Sequence, residues 1–142
     1  ENPYRIGVYV GSGTGGLEVH EQECQTIIEK GPSRIGVFTI PMLIVNMASG
    51  QIAIVFGFKG PNISVSTACA SGSHAIGQAY YVIKQGAADV MITGGAEACV
   101  IPSAVGGFCA CKALSTRNDD PQHASRPFDK ERDGFIMGEG SG

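Results

Sequence analysis

Short apolar segments rich in β-branched residues alternate along this chain with longer segments of helical pattern, and glycine separates most of them. Segments of the first kind are predicted as buried strands, and segments of the second kind as helices. The predicted strands cover residues 5–10, 63–67 and 88–93, and the predicted helices cover residues 17–30, 42–56 and 70–85. Strands that alternate with helices in this way favour a layered α/β domain.

The later part of the chain adds a helix face and a long loop to this pattern. The helix over residues 70–85 has one apolar face, and Gly86 lies just past its end. The residues of that face are Ile76, Ala79, Tyr80 and Ile83. Residues 113–133 are polar, charged and interrupted by proline, so a long ordered loop is predicted there, and one more strand is predicted to begin at residues 135–137.

Charge and cysteine content exclude several classes of protein. A formal net charge of -3 leaves no basic surface for nucleic acid, and no apolar run is long enough to span a membrane. No secretory signal is visible, and the five cysteines are odd in number and irregular in spacing, which predicts free thiols in a reducing compartment. Cys109-Ala110-Cys111 lacks a second Cys or His pair at zinc-like spacing, so no metal site is predicted.

Cys69 stands where a predicted strand ends and a predicted helix begins. At a helix N-terminus the backbone N–H groups lack partners within the helix, and the helix dipole favours negative charge. The position therefore favours the thiolate, and the same N–H groups could hold the oxyanion that forms when a thioester is attacked. Gly72 and the small residues around it leave room for a substrate. The alternative is a buried structural cysteine, because free cysteines are commonly inert core residues.

None of the three histidines is placed by the sequence to act as a base for Cys69. His74 lies five positions after Cys69, about 140° around a helix, so the two side chains diverge and His74 is interpreted as a structural residue. His20 and His123 lie in polar surroundings. A Cys–His hydrolase is therefore not supported, and the lack of a Gly-x-Ser-x-Gly motif argues against a serine hydrolase.

Residues 11–16, the Gly-rich loop, match the G-x-G-x-x-G pattern of dinucleotide-binding folds and follow a predicted strand. Such sites also use an acidic residue about 20 residues further on, which binds the ribose. Residues 31–40 contain no acid, so no cofactor is predicted. We interpret the glycines instead as residues that let the backbone approach a substrate near Cys69.

Four segments carry a family resemblance. They are GSGTGG (11–16), GPNISVSTACASGSHAIGQA (60–79), ADVMITGGAEA (88–98) and GGFCACKALSTRNDDPQHASRPFDKERDGFIMGEGSG (106–142). Together they resemble the β-ketoacyl-[acyl-carrier-protein] synthase I/II family of the thiolase superfamily, and most closely its type II fatty-acid elongating members. The resemblance implies an α/β thiolase-like fold with five α/β/α/β/α layers. Residues 1–142 would be a partial ketoacyl-synthase domain, most of the N-terminal half, with the C-terminal half absent.

The same resemblance implies a 3-oxoacyl-[acyl-carrier-protein] synthase of fatty-acid elongation. Cys69 would take an acyl chain from acyl carrier protein as a thioester, and the carbanion formed when malonyl-carrier protein loses CO2 would then attack it. The implied partners are the acyl- and malonyl-loaded carrier protein and a second copy of the chain, paired through strand 63–67. The implied location is the cytoplasm of a bacterium, or an organelle in a eukaryote. The family's catalytic histidines would lie beyond Gly142, so this piece alone is expected to be inactive.

Three residues match substrate-binding positions of the family. Thr14 corresponds to a residue beside the acyl pocket that is commonly bulkier and apolar. Phe108 corresponds to a phenylalanine that lines the pocket. Leu43 corresponds to a position that reaches the pocket across the dimer interface.

Further residues match surface positions or shape the long loop. Arg34 and Lys112 correspond to basic positions that contact the acidic carrier protein, although a solvated charge is the alternative for each. Asp129, Arg132 and Asp133 are interpreted as salt-bridge residues that shape the loop.

Two other functions remain open. The parent protein could be a ketosynthase of a type II polyketide pathway, or a non-catalytic ketosynthase-like subunit such as a chain-length factor. Chain-length factors resemble synthases but lack the cysteine, so the presence of Cys69 favours an enzyme.

Overall fold

The structure is a computed structural model that describes residues 2–142, and it divides into two compact units. The first unit comprises residues 2–98 together with residues 140–142, and the second comprises residues 99–139. The first unit contains the sheet and Cys69.

The strands of the first unit form one mixed sheet. They are β1 (Ile6–Gly11), β2 (Asn62–Val65), β3 (Val90–Glu97) and β4 (Gly140–Ser141). Among the described residues their order is β2-β1-β3-β4, with β1 parallel to both β2 and β3, and β4 antiparallel to β3. Every residue of β1 is buried, because this strand has a neighbour on each side and helices pack against it. The mixed α/β sheet agrees with the predicted fold class.

The helices of the first unit are α1 (Leu17–Lys30), α2 (Thr39–Leu43), α3 (Met47–Phe56) and α4 (Ser71–Lys84). The prediction of one helix over residues 42–56 is wrong, because the chain leaves the helical conformation at Ile44, where φ is -70° and ψ is 137°. The Leu43 carbonyl accepts a hydrogen bond from the Gly16 amide at 2.9 Å. This tertiary contact prevails over the apolar pattern. No helix within residues 2–142 is long and apolar enough to cross a membrane.

Helix α4 packs on the sheet through its small residues rather than its large ones. Its buried residues are Ser71, Ala75 and Ala79. Of the predicted apolar face only Ala79 is buried; the exposed members are Ile76, Tyr80 and Ile83. A Cβ added to Gly72 would lie 3.4 Å from the Cα of Gly95 in β3, so helix and strand approach closely. At such a short separation only small side chains fit between them.

The hydroxyl of Ser49, on α3, connects β1 to β2. It accepts a hydrogen bond from the Val10 amide at 2.8 Å and donates one to the Ile63 carbonyl at 2.8 Å. Ser49 has no exposed surface, so both backbone groups depend on this hydroxyl rather than on water. Ser49 is thus a buried part of the hydrogen bonding between the two strands.

Ser49→Ala is expected to lower the free energy of unfolding by about 1–3 kcal/mol, because the Val10 amide and the Ile63 carbonyl would lose a buried partner. Urea denaturation followed by circular dichroism measures the change. Ser33→Ala, at an exposed serine, is the control and should change stability by no more than about 0.5 kcal/mol. Equal stability of the two variants would contradict the role assigned to Ser49.

The second unit contains α5 (Pro102–Ala110) and the long loop. The sequence pattern did not predict α5, because Gly106 and Gly107 weaken the helical signal. The predicted strand at residues 135–137 is reduced to a single bridge between Leu114 and Phe135. The Phe135 ring also meets the ring of Phe108 edge-on, with centroids 5.1 Å apart.

Asp129, Arg132 and Asp133 organise the long loop through hydrogen bonds rather than through ion pairs with one another. Asp133 accepts the Ser115 hydroxyl at 2.6 Å and the Thr116 amide at 2.9 Å, and these bonds hold the pKa of Asp133 below its ordinary value. Arg132 donates to the backbone carbonyl of Asp129 at 2.7 Å. The predicted salt bridges of Asp129, Arg132 and Asp133 are therefore wrong within residues 2–142, although all three residues do organise the loop.

Candidate active site

Cys69 lies on a tight turn between β2 and α4. Residues 66–70, the elbow, make the whole connection between the two elements. Cys69 is exposed, which does not fit the alternative of a buried structural cysteine. Ala68, the preceding residue, has a φ of 52°, in the left-handed region that residues other than glycine seldom occupy. Backbone strain of this kind concentrates at functional sites, including the turns that present catalytic nucleophiles.

Ser71, the first residue of α4, stabilises the elbow. Its buried hydroxyl accepts a hydrogen bond from the Thr67 amide at 2.9 Å and donates one to the Ala68 carbonyl at 2.6 Å. The amides of Ala70 and Ser71 donate to the carbonyls of Thr67 and Ala68, at 3.2 and 3.1 Å. The turn itself therefore uses these two amides, and the predicted oxyanion role of the helix N-terminus does not extend to them.

The three histidines lie in different parts of the structure and have different contacts. The Nδ1 atom of His74 lies 2.7 Å from the Thr67 hydroxyl, so its ring contacts the elbow two residues before Cys69. This contact agrees with the structural role predicted for His74. His20 lies on α1 with its Nε2 atom 3.7 Å from the Cys24 sulfur, and His123 belongs to the second unit.

Glu97, at the end of β3, holds the Gly-rich loop. Its carboxylate accepts the amides of Gly13 and Thr14 at 2.6 and 3.2 Å, and the hydroxyls of Thr14 and Ser12 at 2.7 and 3.3 Å. In a dinucleotide-binding loop such amides would face a phosphate. Here they face a carboxylate of the chain itself, which leaves the loop unsuited to pyrophosphate. Sequence reasoning missed Glu97; the available signal was a lone acid in the apolar, glycine-rich segment 90–98.

The Gly-rich loop contains one predicted substrate-binding residue, Thr14, and contacts another, Leu43. The Ser66 hydroxyl donates to the Gly13 carbonyl at 3.2 Å, which joins the loop to the elbow. On the other side, the Gly16 amide donates to the carbonyl of Leu43. Thr14 is exposed and Leu43 is half-buried, so both lie near this loop with accessible surface.

The remaining predicted residues lie elsewhere on the surface. Arg34 is exposed at the end of a short 3-10 helix, Pro32–Arg34. Lys112 is exposed just after α5 and has a left-handed backbone, with a φ of 56°. Phe108 lies on α5 with its ring against Phe135. Lys112 and Phe108 belong to the second unit.

Comparison with known proteins settles the family. Residues 1–142 match the family model described as the N-terminal domain of β-ketoacyl synthase. The chain belongs to the β-ketoacyl synthase family. This finding confirms the resemblance inferred from the sequence.

Curated relatives of this β-ketoacyl synthase chain are 3-oxoacyl-[acyl-carrier-protein] synthases by name. The chain is 57% identical over 141 residues to 3-oxoacyl-[acyl-carrier-protein] synthase 2 of Synechocystis sp.. It is 56% identical over 138 residues to the chloroplastic 3-oxoacyl-[acyl-carrier-protein] synthase I of Arabidopsis thaliana. These matches cover 99% and 97% of this chain but only 34% and 29% of the relatives. The chain thus spans about a third of the length of the curated relatives it matches.

Solved structures share the fold of this β-ketoacyl synthase chain. One is the ketosynthase of a type II polyketide synthase in complex with its acyl-carrier protein and bound to the hexaketide (TM-score 0.91, 33% identity, 99% of this chain, 36% of that chain). Another is a β-ketoacyl synthase from Burkholderia phymatum (TM-score 0.86, 36% identity, 99% of this chain, 35% of that chain). The predicted ketosynthase fold is confirmed for the part that this chain covers. The five-layer arrangement and the boundaries of the partial domain stay predictions.

Proposed function

We propose that the full-length protein is a 3-oxoacyl-[acyl-carrier-protein] synthase of fatty-acid elongation, with Cys69 as its acyl-accepting nucleophile. The observation that carries the proposal is an exposed thiol on a strained turn directly before the N-terminus of α4. The 57% sequence identity between this chain and the Synechocystis synthase supports the assignment of the substrate class.

In the first half-reaction the Cys69 thiolate attacks the thioester carbonyl of acyl-carrier protein. A bond forms between the sulfur and the carbonyl carbon, and the negative charge moves to the carbonyl oxygen. Collapse of this intermediate breaks the bond to the carrier's sulfur, which leaves as a thiol after it takes up a proton. A thiol suits this relay because it is both a good nucleophile and a good leaving group.

In the second half-reaction malonyl-carrier protein loses CO2, and the electron pair of the broken C–C bond remains as a carbanion. The carbanion attacks the acyl group on Cys69, which forms the new C–C bond and breaks the bond to the sulfur. The released thiolate regains a proton. The product is a 3-oxoacyl-carrier protein two carbons longer than the acyl substrate.

The oxyanion of both half-reactions needs a hydrogen-bond donor near the sulfur. Since the amides of Ala70 and Ser71 are used within the elbow, we assign this role to the amide of Cys69 itself. Donation from the nucleophile's own amide is a common arrangement in acyl-transfer enzymes.

Three side chains are proposed to bind the acyl chain. Thr14 and Leu43 are supported by the contacts that the Gly-rich loop makes with both the elbow and the Leu43 carbonyl. Phe108 is supported by the family resemblance and by an apolar ring that is partly exposed at the surface of α5.

Carrier protein and a second copy of the chain are the proposed partners. Exposed basic side chains at Arg34 and Lys112 would suit an acidic carrier, and the structurally similar polyketide ketosynthase was solved with its acyl-carrier protein. Strand β2 is an edge of the sheet within the described residues, and its Asn62 and Ile63 are exposed, which supports pairing through this strand. The Synechocystis and chloroplastic relatives support a location in a bacterial cytoplasm or an organelle.

A type II polyketide ketosynthase is the second candidate, favoured by the structural similarity to the ketosynthase bound to the hexaketide. The higher identity to the synthases of Synechocystis and Arabidopsis favours fatty-acid elongation. A non-catalytic subunit is less well supported, because Cys69 is present and exposed.

Mass spectrometry of the products tests the proposal. Full-length protein, incubated with a medium-chain acyl-carrier protein and malonyl-carrier protein, should form one 3-oxoacyl product per acyl chain. Repeated condensation on one carrier without reduction would indicate a polyketide enzyme, and no product at all would contradict both candidate functions.

The rate should fall as salt rises, because contacts of Arg34 and Lys112 with an acidic carrier are screened. Sedimentation of the same preparation tests the dimer.

A further inference from the structure

We propose that Glu97 is a positioning residue that turns the Thr14 hydroxyl away from the acyl chain and so adapts this site to an apolar acyl group. The inference rests on the proposed function, in which an acyl chain reaches Cys69 beside the Gly-rich loop. The proposal assigns a role to Glu97, a residue that contacts neither the thiol nor the acyl chain. It also explains how a threonine can lie beside an apolar substrate.

The contacts of Thr14 with Glu97 fix both its backbone and its side chain. Its amide donates to one carboxylate oxygen at 3.2 Å, and its hydroxyl donates to the other at 2.7 Å. Hydrogen bonds to a charged acceptor are about twice as strong as those between neutral groups. Because threonine is branched at Cβ, fixing the hydroxyl also fixes the methyl group. The methyl is then the part of the side chain that remains without a polar partner.

The place of Thr14 beside the elbow follows from its neighbour Gly13. A Cβ added to Gly13 would lie 2.8 Å from a carboxylate oxygen of Glu97 and 3.7 Å from the Cα of Ala68. The carboxylate of Glu97 and the backbone of Ala68, the residue that precedes Cys69, therefore both lie close to Gly13. Thr14 follows Gly13 and is exposed, so its accessible surface lies on the part of the loop that contacts the elbow.

The consequence for binding is a change in what the acyl chain meets. With Glu97 present, the hydroxyl already has its partner, and an apolar chain contacts the methyl group without removing the hydroxyl from water. Without Glu97, the hydroxyl and two loop amides would lose their acceptor, and an apolar chain would displace the water that replaced it. Burying an unpaired polar group is unfavourable, so the affinity for the acyl chain would fall.

A double-mutant cycle in the full-length protein tests this coupling. Wild type, Glu97→Ala, Thr14→Val and the double variant are compared by the KM and kcat of acyl transfer to Cys69 from long-chain acyl-carrier protein. Glu97→Ala should raise the KM about tenfold when Thr14 is present, and by about threefold or less in the Thr14→Val background, which has no hydroxyl to release. The kcat should change less than the KM in both backgrounds.

Further variants separate positioning from general damage to the fold. Glu97→Gln, which retains one acceptor oxygen, should give a KM between those of wild type and Glu97→Ala. It replaces the alanine variant in the comparison if that variant does not fold. Glu29→Ala, at an exposed carboxylate on α1, is the control and should leave KM and kcat unchanged. An equal rise in KM from Glu97→Ala with and without the Thr14→Val substitution would overturn the proposal.

Hydrogen exchange gives a readout that does not depend on activity. Glu97→Ala should speed exchange of the Gly13 and Thr14 amides by about tenfold or more, since both lose their acceptor. Unchanged exchange would overturn the inference about Glu97 even in an active enzyme. A different pair of results would overturn the proposed function instead. In that case the wild type transfers no acyl group, but Glu97→Ala still speeds amide exchange in the loop.

Discussion

Cys69→Ala in the full-length protein is expected to reduce condensation by about ten-thousand-fold or more, because alanine cannot hold the acyl thioester through which both half-reactions pass. The fold should be retained: Cys69 is exposed, so the free energy of unfolding should change by no more than about 0.5 kcal/mol. Intact-mass measurement after incubation with acyl-carrier protein shows directly whether the enzyme carries an acyl group.

Cys24→Ala is the matched control for this variant. Cys24 is also exposed, but it lies on α1, outside the elbow, so its loss should leave the acyl mass and the turnover intact. Iodoacetamide labelling of wild type, read by peptide mass, should modify Cys69 ahead of the other four cysteines. An acyl mass that persists in Cys69→Ala would show that another residue is the acceptor.

Gly11→Ala is expected to lower the free energy of unfolding by about 3 kcal/mol or more. A Cβ at this buried position would overlap the backbone carbonyl of Ser71 and the amide of Gly72. Backbone atoms cannot give way as the end of a flexible side chain can. The N-terminus of α4 would have to move, and because the elbow is joined to it, acylation of Cys69 should fall as well.

Gly77→Ala is the comparison for the steric effect. Gly77 lies in the middle of α4, and apart from its chain neighbours and the nearby backbone of α4, no atom of the described residues lies within 4 Å of an added Cβ. Alanine favours a helix over glycine by about 1 kcal/mol, so this variant should be as stable as wild type or more stable. Urea denaturation of both variants measures the difference, and comparable stabilities would rule out the close approach of Gly11 to α4.

The elements predicted well are those with strong local signals. Helix α1 begins and ends where predicted, because glycine lies on each side of a continuous helical pattern. Helix α4 agrees to within a residue at each end, and Gly86 follows it with a left-handed φ of 73°. The turn at Cys69 was predictable because it requires only that a strand pattern and a helix pattern adjoin.

The elements predicted poorly depend on neighbours distant in sequence. Strand β3 continues to Glu97 rather than ending near residue 93, because it pairs with β1 and β4 along that extension. The burial of the small face of α4 depends on how closely Gly72 approaches Gly95. Neither the length of β3 nor the separation of Gly72 from Gly95 is encoded in the local sequence pattern.

Residue order along the chain was enough to locate the thiol at a junction of strand and helix and to indicate the family, because both depend on adjacent residues. The surroundings of the thiol were set by folding: the left-handed turn at Ala68, the use of two N-terminal amides within the elbow, and the carboxylate of Glu97 on the Gly-rich loop. Glu97 lies 84 residues from Gly13, and only the parallel pairing of β1 with β3 brings them together. A contact of that separation has no local signal, since its stability comes from packing of the sheet as a whole.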